Sequence, residues 1–104
     1  MGLMQDCGYD GFDWDEGNRG KNFRKHGITD AEIEQVFLND PYFTSVDEKH
    51  SLQEPRERIL GKTDTGKLVF AVYTIRANSI RDIYARGMNR EEREQYDEAI
   101  TRNS

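Results

Sequence analysis

Cysteine is nearly absent: Cys7 is the only one in 104 residues. An internal disulfide is excluded, and Cys7 lies in a glycine-rich stretch with no base beside it to make a thiolate. Long apolar runs are missing too, and so is a signal-peptide core, so the chain reads as cytoplasmic with no membrane partner. Positive charge is in deficit, with 15 Lys and Arg against 20 Asp and Glu, a net −5. That balance argues against a protein that coats nucleic acid by bulk attraction. Histidine is scarce: His26 and His50 stand apart. No Cys, His, Asp or Glu cluster has metal-ligand spacing, so no metal or cofactor is expected. No glycine loop suits a phosphate, no serine sits in a nucleophile elbow, and no segment repeats.

What is present suits one small domain. Hydrophobic residues make up 35% and charged residues 34%, which allows a thin core under a heavily solvated surface. One tryptophan, five tyrosines and five phenylalanines can each bury a large apolar area. Residues 1–11 read as a flexible leader, 12–100 as the domain and 101–104 as a tail.

Local signals set the elements. Phe12-Asp13-Trp14 suits a short strand or an anchor, and Asp15 is a candidate cap for a mediocre helix over 16–26. Gly27 suits its left-handed stop. Thr29 and Glu32 form a capping box, with Ile28 and Ile33 as its hydrophobic staple. Ile33, Val36 and Phe37 share a helix face that ends before Pro41. Strands are expected at 42–46, 56–60, 68–75 and 80–86. The third is apolar on both parities, so it should be central and covered on both faces. A turn is expected at 63–66 and another at 77–79. Asn89 and Glu92 form a second capping box, opening a charged helix with Tyr96 and Ile100 as its apolar stripe. The expected fold class is α+β: two N-terminal helices, a three- or four-stranded antiparallel sheet and a C-terminal helix, with helices against one sheet face.

Charge is unevenly placed. Residues 19–26 hold Arg19, Lys21, Arg24, Lys25 and His26 without an acid. Lys21 and Lys25 share a helix face, and His26 falls in the last turn, where the helix dipole favours its charged form. The cluster suits phosphates and proton transfer, and it equally suits plain helix capping. Arg81 and Arg86 lie in the last strand, a costly place unless an anion or solvent meets them. Their opposite parity points them to opposite faces unless the strand ends or bulges near Ala85. Arg56 and Arg58 share a face, as a basic strip or as partners of Glu54 and Glu57. Glu91, Glu92, Glu94, Asp97 and Glu98 read as a solvated helix face.

Together these residues carry a pattern. Phe12-Asp13-Trp14-Asp15-Glu16 precedes Asn22-x-x-Lys25-His26-Gly27-Ile28. Val36-Phe37-x-x-Asp40-Pro41 follows, then Arg58-x-x-Gly61, the strand Leu68 to Thr74, and Ile80-Arg81-x-Ile83-x-Ala85-Arg86. Met88-Asn89-Arg90-Glu91-Glu92-Arg93-x-x-Tyr96 closes it. The chain resembles the BrnT family over roughly residues 12–97. Tyr84 stands where many members carry a small polar residue, and Gly87 where they carry a charged one.

The resemblance implies a RelE-like fold and a toxin of a type II toxin–antitoxin pair. It implies a metal-independent endoribonuclease that cuts messenger RNA and inhibits translation. A BrnA-type ribbon-helix-helix antitoxin would neutralise it in a hetero-oligomer and carry it to operator DNA. On that resemblance, His26, Arg81, Arg86 and Tyr84 are the candidate catalytic residues. Lys21, Arg24, Lys25 and Arg58 are the candidate RNA contacts. The alternatives are a catalytically inactive relative acting as antitoxin-binding co-repressor, and an unrelated small binding domain.

Overall fold

The computed structural model describes residues 1–48 and 54–102. Its elements are α1 (Leu3–Cys7), β1 (Gly11–Phe12), α2 (Lys21–His26), α3 (Asp30–Leu38), β2 (Phe43–Val46), β3 (Glu57–Lys62), β4 (Leu68–Arg76), β5 (Ser79–Gly87) and α4 (Arg90–Arg102). The expected α+β class holds. The sheet is larger than expected: five strands in the order β1-β5-β4-β3-β2. It is also mixed, because β1 runs parallel to β5 while the other pairs are antiparallel. The extra strand follows from Phe12, whose ring packs edge-on against Phe37 at 6.0 Å and draws the chain alongside β5.

The local signals behave as their chemistry requires. The Thr29 hydroxyl accepts from the Glu32 N–H at 3.1 Å, and the Glu32 carboxylate accepts from the Thr29 N–H at 2.9 Å. Asn89 and Glu92 repeat the exchange at 2.8 and 2.9 Å. Each box satisfies donors that a helix start leaves orphaned. Ala77 and Asn78 both take positive φ to turn β4 into β5. The helix expected over 16–26 is shorter and starts at Lys21. Residues 16–20 are turns: Asp15 accepts from the Gly17 N–H at 2.8 Å, and Gly20 at φ +69° sets the helix entry. The stretch read as a loose leader carries α1 and the first residue of β1, whose Phe12 falls in the segment read as a short strand or an anchor. Leu3 is buried, and Met4 and Tyr9 pack against the same core.

Alternation sorts β4 into two faces. Val69, Ala71 and Tyr73 join Ile59, Ile80 and Ala85 under Ile33, Val36 and Phe37 of α3. Burying each large apolar side chain there contributes roughly 1.5–3 kcal/mol. The approach is close: a Cβ on Gly61 would meet Val36 Cγ1 at 2.9 Å. The other face is only partly covered. Leu60, Leu68 and Phe70 meet Met88, Tyr96 and Ile100, so α4 lies opposite α3. The expectation of helices on one face fails here, because the apolar stripe of α4 has its partners on the far side of β3 and β4. The Tyr96 hydroxyl, which donates to Pro41 O at 2.7 Å, fixes the crossing.

Two asparagines finish the β5 edge where β1 stops. Asn22, 1% exposed, accepts from the Ala85 N–H at 2.9 Å and donates to Asp82 Oδ2 at 2.8 Å. Asn18 donates to the carbonyls of Asp82 and Asp13, both at 3.1 Å, and accepts from the Asp15 N–H at 2.8 Å. Side-chain amides thus satisfy backbone groups that a longer β1 would have paired. They also fix α2 against β5.

Candidate active site

The partly covered face holds the candidate chemistry, and a bulge arranges it. On β5, Tyr84 opposes Val72 while Asp82 opposes Tyr73, so Ile83 is an extra residue. The insertion shifts the alternation by one. Arg81, Tyr84 and Arg86 therefore oppose Thr74, Val72 and Phe70, three residues of one β4 face. The parity problem posed by Arg81 and Arg86 is resolved, two residues before Ala85. Sharing a face does not bring them together. Their partners Thr74 and Phe70 are four residues apart, about 13 Å along a strand.

Arg86 is held on three sides. Its guanidinium donates to Glu92 Oε1 at 2.7 Å, to Glu92 Oε2 at 2.9 Å and to Gly87 O at 3.1 Å. It also lies 4.4 Å from the Phe70 ring centre, a cation–π position. The Glu92 hydrogen bond raises the Arg86 pKa, with Tyr84 adding to the rise. For Glu92 itself, burial pushes the carboxyl upward, but the Arg86 and Asn89 hydrogen bonds outweigh it and the net shift is down. Glu92 was expected on a solvated helix face. Its side chain is 14% exposed, because one carboxylate both caps α4 and grips Arg86.

Tyr84 sits at the centre of the cluster. Its ring meets His26 edge-to-face at 5.3 Å and Phe70 at 6.4 Å. His26 is exposed at the end of α2, where the Asn22 contacts have placed that helix. Arg58 lies in the same transverse row, since Val72 pairs with both Arg58 and Tyr84. It is exposed and donates to Val46 O at 3.3 Å, where pairing with Glu54 or Glu57 was one of the two readings left open. Glu54 instead binds Arg76, and Glu57 accepts from the Tyr73 hydroxyl. A cavity of about 650 Å³ opens beside this row, floored by Val72 and Ile83 and walled by Phe70, Tyr84, Arg56 and Arg58.

The remaining candidates lie elsewhere. Arg81 is held by Asp15 at 3.0 and 3.1 Å and by Asp13 at 3.6 Å, its side chain 14% exposed. The Asp15 hydrogen bond raises its pKa, and the same bond lowers that of Asp15. Arg24 and Lys25 are exposed on α2 and Lys21 is half-buried. His50 lies outside the described residues, and among those described no three His, Cys, Asp or Glu side chains gather as metal ligands. Sequence reading missed Phe70 and Glu92 as the setting of Arg86. It also missed Asn18 and Asn22, although their four-residue spacing was a readable signal.

A family model described as the ribonuclease toxin BrnT of a type II toxin–antitoxin system matches residues 14–92. The chain belongs to the BrnT family. The match runs from Trp14 to Glu92, so it takes in His26, Arg58, Tyr84 and the whole Arg86–Glu92 grip. BrnT membership makes RNA the implied substrate class and an antitoxin the implied partner. No curated protein matches the chain. No helix among the described residues is long and apolar enough to cross a membrane.

Proposed function

We propose that this BrnT-family toxin is a metal-independent endoribonuclease that cuts messenger RNA through the cluster of His26, Tyr84 and Arg86. A BrnA-type antitoxin would neutralise it and link it to operator DNA. The observation that carries the reading is the meeting of an exposed imidazole, a phenol and a fixed guanidinium on one partly covered sheet face.

The chemistry needs a base, an acid and a cation beside the phosphate. The 2′-oxygen of RNA attacks the adjacent phosphorus, forming one P–O bond as the bond to the 5′-oxygen breaks. A base accepts the 2′-hydroxyl proton and an acid returns one to the leaving oxygen. His26 serves that proton traffic, with Tyr84 as the second candidate. Glu92 holds the Arg86 guanidinium in place, and the N–H donors that Glu92 and Gly87 leave free face the charge that builds on the phosphoryl oxygens. Lys21, Arg24, Lys25 and Arg58 hold flanking phosphates. Arg81, engaged by two carboxylates, anchors the 13–15 segment to β5.

The test is incubation of the purified toxin with a long unstructured RNA in EDTA, with Arg86→Ala as control. Cleavage by the wild type alone, leaving 2′,3′-cyclic phosphate ends, is expected. Cleavage by both would remove Arg86 from the site. One observation favours the co-repressor reading: Glu92 already occupies the Arg86 fork. A folded toxin that leaves RNA intact, on and off ribosomes, and still binds its antitoxin would establish that reading instead.

A further inference from the structure

Phe23 is a large apolar ring that the core does not use. It lies on α2, 57% exposed, directly after the buried Asn22. No acid occurs between Gly17 and Ile28, while Arg19, Lys21, Arg24 and Lys25 do, in a chain of net charge −5. An aromatic among cations matches a polyanion that carries flat rings. Phe23 is also in line with the cleavage cluster. His26 is three residues on and shares its helix face, about 5–6 Å away between Cβ atoms. From His26 the rings continue to Tyr84 at 5.3 Å and to Phe70 at 6.4 Å. These contacts are edge-to-face, with interplanar angles of 84° and 70°. Phe70 closes the line with the Arg86 guanidinium over its ring, whereas Phe23 at the other end is exposed.

We infer that Phe23 is a base-stacking site for single-stranded RNA, the exposed end of an aromatic line that runs through His26 to Tyr84. The inference rests on the ribonuclease reading and adds the substrate class. Stacking on such a line needs bases whose faces are free, which a duplex withholds. Arg24 and Lys25 meet the phosphates on either side of the stacked base. Phe23 lies outside the cleavage cluster, so it positions the strand and takes no part in the chemistry.

The test uses a short 2′-O-methyl oligonucleotide, which lacks the attacking hydroxyl, as single strand and as duplex. Phe23→Ala should weaken single-strand binding about tenfold and leave duplex binding unchanged. Phe23→Trp should bind as the wild type does. Lys25→Ala should weaken both forms and reduce the single-strand salt slope by about 0.7. Equal single-strand affinity for wild type and Phe23→Ala would overturn the inference, as would equal losses for strand and duplex. So would a Phe23→Ala variant that fails only to bind antitoxin, since the ring would then belong to that partner. Because Phe23 is exposed, the melting temperature should not move, which separates a binding loss from a folding loss. A wild type that cuts RNA with no Phe23 effect refutes only this inference. One that neither cuts nor binds RNA refutes the ribonuclease reading beneath it.

Discussion

Two tyrosines on adjacent strands of one sheet live under opposite conditions. Tyr73 on β4 is fully buried beneath Phe37, its ring 4.9 Å from that partner and its hydroxyl spent on Glu57 at 2.8 Å. Burial, then the Glu57 carboxylate, pushes its pKa upward, so it stays a phenol throughout the working range. Tyr84 on β5 is half-buried and meets an exposed imidazole and a fixed guanidinium. The α3 face of the sheet supplies cohesion, and the face that α4 covers only in part supplies reactive groups. The same residue type is therefore a packing element on one side and a candidate reagent on the other.

The largest effect should separate the two at once. Tyr73→Ala is expected to cost about 3–5 kcal/mol, as large-to-small core changes do. Tyr84→Ala should cost about 1 kcal/mol and lower cleavage at least tenfold. Denaturant unfolding beside an RNA cleavage assay measures both, and equal destabilisation would erase the contrast. Asn22→Leu comes next, at about 2–3 kcal/mol, because it leaves the Ala85 N–H and Asp82 without their partner. It should also lower cleavage, since α2 carries His26. A variant of unchanged stability would show that the amide is not what holds α2.

Asp82 sharpens the comparison through pH. Burial raises its carboxyl to about 7, with Asp30 adding to the rise and Asn22 and Lys21 opposing it, and its Oδ1 has no partner among the described residues. A raised acid pKa means that the folded state binds more protons than the unfolded one between about pH 4 and pH 7. The Asp82 contribution to stability therefore falls as pH rises through that window and is flat above it. Asp82→Asn should remove this decline, worth on the order of 4 kcal/mol, in unfolding curves collected from pH 4 to pH 8. Wild-type and variant curves that run parallel would show that Asp82 does not titrate there. The smallest effect is assigned to Arg81→Ala: under about 1 kcal/mol in stability, given partners at the surface, and cleavage within about threefold of wild type. A hundredfold loss of cleavage would return Arg81 to the catalytic cluster.

Legibility followed locality. Thr29 with Glu32 and Asn89 with Glu92 act within four residues, so both helix starts were readable. The apolar run of β4 announced a central strand, which α3 covers on one face and α4 only in part on the other. The Ile83 bulge was hidden because it is a property of pairing with β4, which β5 alone cannot express. Leu3 gains its burial from α3, far along the chain, so α1 read as loose, while Phe12 was read as a short strand or an anchor. Tyr96 and Ile100 declared a stripe but not which sheet face would receive it. At the site, His26, Tyr84 and Arg86 were named from residue type and resemblance. Glu92 was masked by its other role as a cap, and Phe70 by looking like ordinary core.

The short β1 has a consequence for how these molecules meet one another. Where it ends, Asn18 and Asn22 seal one flank of the sheet with side chains. The opposite flank is β2, terminal in the order, with Phe43 and Val46 exposed on it. A foreign strand would find four residues of edge at β2 and only two at β1, so the β2 margin is the one long enough to template pairing.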